Sequence, residues 1–216
     1  MLKEYRPDIV CENGLDITDY DSYAMQAVCI DNEINQVVGC YRIISSNDIP
    51  NGKKFTCENE FDISDLKATG EKIVELSRAV VKKEYRNSKV LTLLFRFVFS
   101  YIREENFRFV IGGASFFGTD KAVFVKELSY LAQLHSIQDY QIKSLEEYQT
   151  EILPIENLDQ MQVKRSLPAL IRAYLSFGAK VSKDSFTDVE FGSVDVFILL
   201  DTKNYNQAYV NRLIGL

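Results

Sequence analysis

The alternation of apolar and polar residues near the start of the chain predicts a β-hairpin. Residues 26–31 and 37–45 have the length and apolar pattern of strands, and the turn-forming sequence 32–35 separates them. A loop follows over 46–52, and residues 72–81, which are rich in β-branched side chains, predict a third strand. We therefore expect the domain to begin as an antiparallel pair with a further strand close by.

Residues 87–105 predict a helix because their apolar positions follow a helical period. The polar residues Thr92, Arg96 and Ser100 recur every four positions, so we expect a helix buried on nearly all sides, with one narrow solvated stripe. Residues 107–115 predict the next strand. A strand, a helix and a second strand with a crossover of this length indicate a parallel pair.

The rest of the chain predicts a helix over 120–135, irregular structure over 140–162, a helix over 166–177, and strands over 179–183 and 194–200. In the second helix we expect Ser166 at the N-cap, Pro168 in the first turn and Gly178 at the C-terminal end. The elements predict an α/β (α+β) fold with a mixed sheet. We expect one domain over 1–216, with a core of about 14–140 and a C-terminal helix–strand extension over 141–216.

Composition narrows the function classes. The net charge of −6 disfavours a nucleic-acid-binding protein. The longest apolar stretch, 90–102, is too short to cross a bilayer, and no leader pattern opens the chain, so a cytoplasmic protein is expected. The four cysteines form no C-x-x-C pair, which predicts reduced thiols and no zinc site. The single histidine, His135, argues against a histidine-rich metal site and is expected to be structural.

Several short motifs occur in a fixed order along the chain. They are Val-Gly-Cys-Tyr-Arg at 38–42, Glu-Leu-Ser-Arg at 75–78, Glu-Tyr-Arg at 84–86, Ile-Gly-Gly-Ala-Ser-Phe at 111–116, Leu-Pro-Ala-Leu-Ile-Arg-Ala-Tyr-Leu at 167–175, Gly-Ala at 178–179 and Asp-Val-Phe-Ile-Leu-Leu-Asp at 195–201. Together they resemble the branch of GNAT acyltransferases that contains the ornithine-lipid-type N-acyltransferases and, more distantly, the acyl-homoserine-lactone synthases. The resemblance extends from about Gly14 to the C-terminus.

The resemblance implies a fold in which two neighbouring parallel strands, here 72–81 and 107–115, splay apart and admit a pantetheine arm. Backbone groups of Ala79, Val80 and Val81 would bind that arm. Strict alternation along a strand would put Glu75 and Arg78 on opposite faces. Because GNAT folds bulge at this strand, we predict a β-bulge within 76–79.

The resemblance also implies roles for charged residues. Glu75 and Arg78 are the candidate catalytic pair; Glu75 would accept the proton of the attacking amine, or the two would form a purely structural ion pair. Arg42 would bind the carboxylate of an amino-acid acceptor, with a surface arginine as the alternative. Asp21 would bind the ammonium of the acceptor or Arg78, with a turn cap as the alternative.

The segment after the splayed strand keeps Arg86, but Lys89 and Leu91 stand where GNAT acetyltransferases have glycines that hold a pyrophosphate. Loss of those glycines favours the single phosphate of a carrier-bound phosphopantetheine. The residues Lys82, Lys83, Glu84, Arg86 and Lys89 carry a local charge of +3, which suits docking of an acidic acyl carrier protein. The alternative is a solvated charged turn. Ser115 is a further candidate donor contact, or a small packing residue.

These observations predict an N-acyltransferase that moves a long, 3-hydroxylated acyl chain from acyl carrier protein to the amino group of a small amino acid such as ornithine. The product would be an N-acyl amino acid, the lyso form of an aminolipid. No cofactor would be permanently bound; acyl-phosphopantetheine, or acyl-CoA, would be a co-substrate. An amphipathic product also suggests peripheral contact with the inner membrane. Members of this branch usually have a helix before the acidic loop, and this chain looks short there. We therefore expect that the native start lies upstream or that another chain covers the gap.

Three other functions stay open at this point. An acyl-homoserine-lactone-type synthase would use S-adenosylmethionine as acceptor. A CoA-dependent N-acetyltransferase is disfavoured by the missing glycines. A non-catalytic acyl-binding module would keep the groove but lack a working acid–base group.

Overall fold

A computed structural model describes residues 16–86, 89–146 and 151–215. Its strands are β1 (Met25–Asp31), β2 (Gln36–Ser45), β3 (Phe61–Asp62), β4 (Ile73–Val81), β5 (Phe109–Phe117), β6 (Lys143–Ser144), β7 (Lys180–Asp188) and β8 (Ser193–Asp201). Its helices are α1 (Ser64–Lys67), α2 (Val90–Glu104), α3 (Val125–Leu134), α4 (Gln160–Ser166), α5 (Ala169–Phe177) and α6 (Gln207–Ile214). Among these helices, none has the length and apolarity needed to span a membrane.

The centre of the fold is a six-stranded mixed sheet in the order β1-β2-β4-β5-β8-β7. Only β4 and β5 are parallel neighbours, as the strand–helix–strand pattern predicted, and β1 and β2 form the predicted hairpin. β8 pairs with β5 along its whole length, from Phe109 opposite Asp201 to Phe117 opposite Ser193. The segment after residue 140 therefore completes the central sheet. A second sheet joins β3 and β6.

Two apolar cores lie on opposite faces of the sheet. Alternation along β4 sends Val74 into the core beneath α2 and α5, and Ile73 into a smaller core that Phe55, Phe61 and other side chains of the 55–66 segment build. The faces are called here the helix face and the loop face. Since Glu75 follows the parity of Ile73, its side chain belongs to the loop face.

Helix α2 differs from its prediction in its exposure. Leu93 and Phe97 are 47% and 49% exposed, so the solvated side is broader than the predicted stripe of Thr92, Arg96 and Ser100. The apolar residues that are buried, including Leu94 and Val98, face one side of the helix. A helix that packs on one face of a sheet leaves its opposite side exposed to solvent. Because some exposed residues of α2 are apolar, the sequence made the helix look more buried than it is.

The predicted helix over 166–177 begins later than expected, at Ala169, and a separate helix, α4, begins within the stretch predicted to be irregular and ends at Ser166. Ser166 ends α4 and does not cap the next helix, because Leu167, the residue before Pro168, is extended with ψ of 142°. Pro168 itself occupies the N-cap of α5. Gly178 ends α5 in the left-handed conformation, with φ of +93°, as predicted. Helix α6, after the last strand, was not predicted.

Candidate functional site

The parallel strands β4 and β5 separate halfway along their length. They pair from Ile73 opposite Phe109 to Glu75 opposite Ile111. Beyond these three residue pairs, both strands run on for six residues without pairing to each other. The predicted splay is therefore present, and it begins directly after Glu75.

A β-bulge interrupts β4 within the predicted segment. Ser77 lies opposite Arg42 and Val80 lies opposite Cys40, so two residues of β4 face one residue of β2. Arg78 has a φ of +50°, which is a left-handed backbone. The bulge shifts the alternation, because Leu76 and Ala79, three residues apart, both pack on the helix face.

Gly112 marks the point where the strands part. A Cβ atom at this position would lie 2.4 Å from the carbonyl oxygen of Leu76, so only glycine fits there. Its neighbour Gly113 has open space, and a Cβ there would meet only Oε2 of Glu60, at 3.9 Å. Gly112 thus allows the backbones of β4 and β5 to approach closely, whereas Gly113 leaves open space on the loop face.

An apolar pocket opens from the splay into the helix face. It is lined by Leu76, Phe95, Val98, Phe99, Ile102, Val110, Ile111, Gly112, Gly113, Tyr174, Phe177, Ala179, Ile198 and Leu200. The free volume is about 30 Å³, room for about one or two water molecules. Part of α2 lines the pocket, whereas Phe116 and Phe117 do not.

One lining residue of this pocket, Tyr174, pairs with Tyr41 behind it. The hydroxyls of Tyr41 and Tyr174 are 3.0 Å apart. Burial raises the pKa of Tyr174 to about 12 and that of Tyr41 well above its usual value. Both phenols are therefore neutral near pH 7, and the pocket wall is uncharged there.

Glu75 is completely buried on the loop face. Its carboxylate accepts hydrogen bonds from the backbone N–H of Thr56 at 2.8 Å, the Thr56 hydroxyl at 2.6 Å and the backbone N–H of Cys57 at 2.8 Å. The three hydrogen bonds come from Thr56 and Cys57, and Arg78 forms an ion pair with Asp16. Thr56 is half-buried, whereas Cys57 and Glu75 are buried.

Arg42 is buried rather than a surface arginine, being 3% exposed. Its Nε donates to the hydroxyl of Ser77 at 3.1 Å, and its Nη1 donates to the hydroxyl of Thr18 at 3.1 Å. The ring of Tyr20 stacks beside the guanidinium at 5.4 Å. These two hydrogen bonds use two of the five N–H donors, so the group keeps donors for a carboxylate.

Asp21 caps a turn, which was the alternative prediction, and it pairs with Arg42 rather than with Arg78. Its Oδ2 accepts from the backbone N–H of Thr18 at 2.7 Å, which caps a short 3₁₀ turn, and its Oδ1 lies 3.7 Å from Nη1 of Arg42. Asp21 therefore pairs with Arg42. Arg78 forms an ion pair with Asp16. Both arginines thus contact the segment that leads into β1.

The candidate donor residues lie along the far half of β4 and the turn that follows. Ala79, Val80 and Val81 are half-buried beyond the last residue that pairs with β5. Exposed or half-exposed basic residues follow directly and are called here the basic turn: Lys82, Lys83, Arg86 and Lys89. Lys89 is the N-cap of α2, and residues 87–88 of the predicted phosphate loop lie outside the described residues.

Sequence reasoning missed an acidic cluster on the loop face. Carboxylate oxygens of Glu60, Asp188 and Asp195 lie within 4.8 Å of one another. Ser115 hydrogen-bonds to Asp195, so it belongs to this cluster and faces away from the apolar pocket. The three acids come from distant parts of the sequence, so no local motif indicates them.

The remaining singled-out residues lie outside the site. His135 follows α3, where burial lowers its pKa and its Nε2 is 3.4 Å from the Tyr130 hydroxyl. Among the described cysteines, Cys29, Cys40 and Cys57 are free, as predicted. Cys11 lies outside the described residues.

Comparisons with known proteins agree with this geometry. The family model of the acetyltransferase (GNAT) domain matches residues 4–96. The chain is 28% identical to an L-ornithine N(alpha)-acyltransferase of Rhodobacter capsulatus, over 97% of this chain and 85% of that protein. It is 29% identical to a protein of the same name from Brucella abortus, over 83% of this chain and 66% of that protein.

A solved structure with the same fold is the CoA-dependent acyl-homoserine lactone synthase MesI. It superposes with a TM-score of 0.51 at 12% identity, covering 100% of this chain and 82% of that chain. The predicted fold and the predicted resemblance to this branch of acyltransferases are confirmed.

Proposed function

We propose that this chain, an acyltransferase with the GNAT fold, transfers a long acyl group from a phosphopantetheine thioester to the α-amino group of a basic amino acid such as ornithine. The observation that carries this proposal is the position of the splay. It connects an uncharged apolar pocket on one face of the sheet with a buried arginine and a carboxylate on the other. An acyl chain and a charged acceptor need these two environments on either side of the reacting carbonyl.

On the donor side, the pantetheine arm would pair with the free edge of β4 from Leu76 to Val81, replacing hydrogen bonds that β5 does not supply. The acyl tail would enter the apolar pocket. Since the free volume is about 30 Å³, a long chain needs side chains such as Phe95 and Phe99 to change rotamer. These two rings pack edge-to-face on Phe177 and close the pocket, so an entering acyl chain would have to displace them.

On the acceptor side, Arg42 would bind the α-carboxylate. A guanidinium binds a carboxylate through two parallel hydrogen bonds, and its burial strengthens them. Thr18, Asp21 and Ser77 fix the orientation of the group. This arrangement would place the acceptor's α-nitrogen over the splay, while Arg78 and Asp16 hold the neighbouring segment.

The reaction forms a C–N bond and breaks the thioester C–S bond. The α-ammonium first releases one proton to solvent, the neutral amine attacks the carbonyl carbon and loses a second proton, and the departing thiolate takes up a proton from solvent. Glu75 would accept the amine's proton through Thr56: the hydroxyl takes a proton from the amine while passing its own to the carboxylate 2.6 Å away. Backbone N–H groups freed by the bulge would stabilise the oxyanion.

For the donor we favour acyl carrier protein. The basic turn lies at the open end of the splay, next to the strand that would bind the pantetheine, and carrier proteins are acidic. Ornithine as acceptor is supported by the names of the relatives in Rhodobacter capsulatus and Brucella abortus. A 3-hydroxy group on the acyl chain is a further part of this proposal.

The test is incubation of the purified protein with an acyl carrier protein that bears a labelled acyl group and with a panel of amino acids. The products are identified by mass spectrometry. We expect an N-acyl amino acid, with ornithine among the best acceptors. Arg42→Lys should raise KM for the acceptor by about tenfold through loss of the bidentate contact, whereas Arg103→Lys, on the exposed side of α2, should leave it unchanged. Absence of N-acyl product, or a lactone formed from S-adenosylmethionine, would overturn the proposal.

A further inference from the structure

The acidic cluster on the loop face lies beside the splay. Asp195 of β8 is opposite Ser115 of β5, and Ser115 is three residues beyond Gly112, where the strands part. Three residues of strand span about 10 Å. Oε2 of Glu60 would lie 3.9 Å from a Cβ atom at Gly113, so this member of the cluster is near the residue that follows Gly112. The cluster is therefore a neighbour of the reacting centre, on the acceptor's side of the sheet.

Asp195 lacks a partner for one oxygen. The residue is 5% exposed, and its Oδ2 accepts a hydrogen bond from Ser193 at 3.1 Å. Its Oδ1 is buried without a hydrogen-bond partner among the described residues. A buried carboxylate oxygen without a donor is costly, so this atom indicates a missing hydrogen-bond donor or cation.

The electrostatics of the cluster indicate the same. Burial, followed by the charges of Asp195, Asp188 and Glu75, raises the pKa of Glu60 to about 8. Burial raises the pKa of Asp195 as well, although hydrogen bonds from Ser115 and Ser193 oppose this change. Carboxylates that repel one another in a buried place are stabilised by a positive ligand.

Resting on the function proposed above, we propose that Glu60, Asp188 and Asp195 bind the side-chain ammonium of the acceptor amino acid. An ammonium has three N–H donors, which suits three carboxylates. Hydrogen bonds of about 2.8 Å in tetrahedral directions place their acceptors roughly 4.6 Å apart. This separation agrees with oxygens that lie within 4.8 Å of one another.

The charge pattern across the sheet fits the two ends of such an acceptor. Arg42 lies on β2, on one side of the splay, and Asp195 lies on β8, on the other. An extended ornithine has about 6 Å between its α- and side-chain nitrogens. With the α-nitrogen over the splay, its carboxylate would face Arg42 and its ammonium would face the acids. The cluster would thus select basic acceptors over neutral ones.

The experiment compares ornithine with norvaline, which has the same carbon chain but no side-chain ammonium. For the unaltered protein we expect kcat/KM to favour ornithine by at least about tenfold. Asp195→Asn and, separately, Glu60→Gln should reduce that ratio towards one. Glu190→Gln removes the same charge from an exposed position in the β7–β8 turn and should keep the ratio.

The outcomes separate this inference from the function on which it rests. Equal use of ornithine and norvaline by the unaltered protein would overturn the acidic subsite while leaving N-acyl transfer intact. Failure to acylate any amino acid would instead overturn the proposed function. Loss of activity with a chelator and recovery with a divalent cation would make the cluster a metal site and also overturn the inference. If Asp195→Asn is too unstable to assay, the ratio of kcat/KM for ornithine and norvaline in Glu60→Gln decides between the outcomes.

Discussion

The burial of Glu75 leads to a prediction that separates its structural role from its chemical role. In Glu75→Ala, the backbone N–H groups of Thr56 and Cys57 lose their only hydrogen-bond acceptor described for them, and Cys57 is 3% exposed. In Glu75→Gln, one carboxylate oxygen becomes an NH₂ group. That amide donor must then face either the N–H of Thr56 or the N–H of Cys57, so one hydrogen bond becomes a repulsive contact.

The magnitude follows from the number of buried donors left without an acceptor. Each costs about 1–3 kcal/mol, so the Ala variant should lose about 2–6 kcal/mol of unfolding free energy and the Gln variant about 1–3 kcal/mol. For a domain of this size, 1 kcal/mol lowers Tm by about 2–4 °C. We therefore expect the Tm of the Ala variant to fall by an amount on the order of 10 °C.

Thr56→Val isolates the proposed proton relay. Valine keeps the shape of threonine and the backbone N–H that donates to Glu75, so we expect a stability loss of only about 1 kcal/mol. The loss of the hydroxyl should lower kcat by roughly 100-fold or more. Thr69→Val, at an exposed loop position, is the matched control.

Urea unfolding and acyl-transfer kinetics measure the two effects separately. If Glu75→Gln unfolds at the same urea concentration as the unaltered protein, then the loop does not depend on this carboxylate. If Thr56→Val keeps its kcat, then the proton takes another route. Both results together would refute the reasoning about this site.

The remaining predictions concern the splay, the acidic cluster and the basic turn. In Gly112→Ala the new Cβ would lie 2.4 Å from the Leu76 carbonyl oxygen, so urea titration should give a loss of about 1–3 kcal/mol. Gly113→Ala, with its nearest contact at 3.9 Å, should lose less, and equal losses would contradict the geometry. The pKa of Glu60 is raised from 4.5 to about 8, so its contribution to stability is full below pH 4.5 and is lost as pH rises through about 8. In Glu60→Gln, the unfolding free energy measured with urea should decline less between pH 4.5 and about 8 than in the unaltered protein. An equal decline in both proteins would contradict the raised pKa of Glu60. Reversing the charge of the three lysines of the basic turn should raise KM for acyl-carrier protein about tenfold more than KM for a short synthetic thioester; equal increases would exclude docking there.

Much of the sheet could be predicted because local patterns specify it. The hairpin and the parallel pair lie in segments where apolar spacing is visible in the sequence. The bulge was predicted only from the resemblance to GNAT folds at the Glu-Leu-Ser-Arg motif. The break before Pro168 was also predictable, since the residue before a proline avoids the helical conformation. The break was missed because the residues on both sides of Pro168 follow a helical period.

The partners of the charged residues could not be predicted in the same way. Glu75 is held by a loop about twenty residues earlier in the chain, and the acidic cluster joins Glu60 to Asp188 and Asp195 across most of the sequence. Such contacts depend on how the loop face closes over the sheet, which no local period encodes. Asp21 was predicted to bind Arg78 or an acceptor ammonium, but it pairs with Arg42, and Arg78 pairs with Asp16.

The early parting of β4 and β5 has a mechanical consequence. The sheet consists of two three-stranded halves, β1-β2-β4 and β5-β8-β7, whose shared ladder spans only residues 73–75 and 109–111. The two halves are therefore joined only at one end of β4 and β5 and are separate at the other end. Small rotations about these three residue pairs would widen or narrow the gap between the halves without breaking the hydrogen bonds within either half.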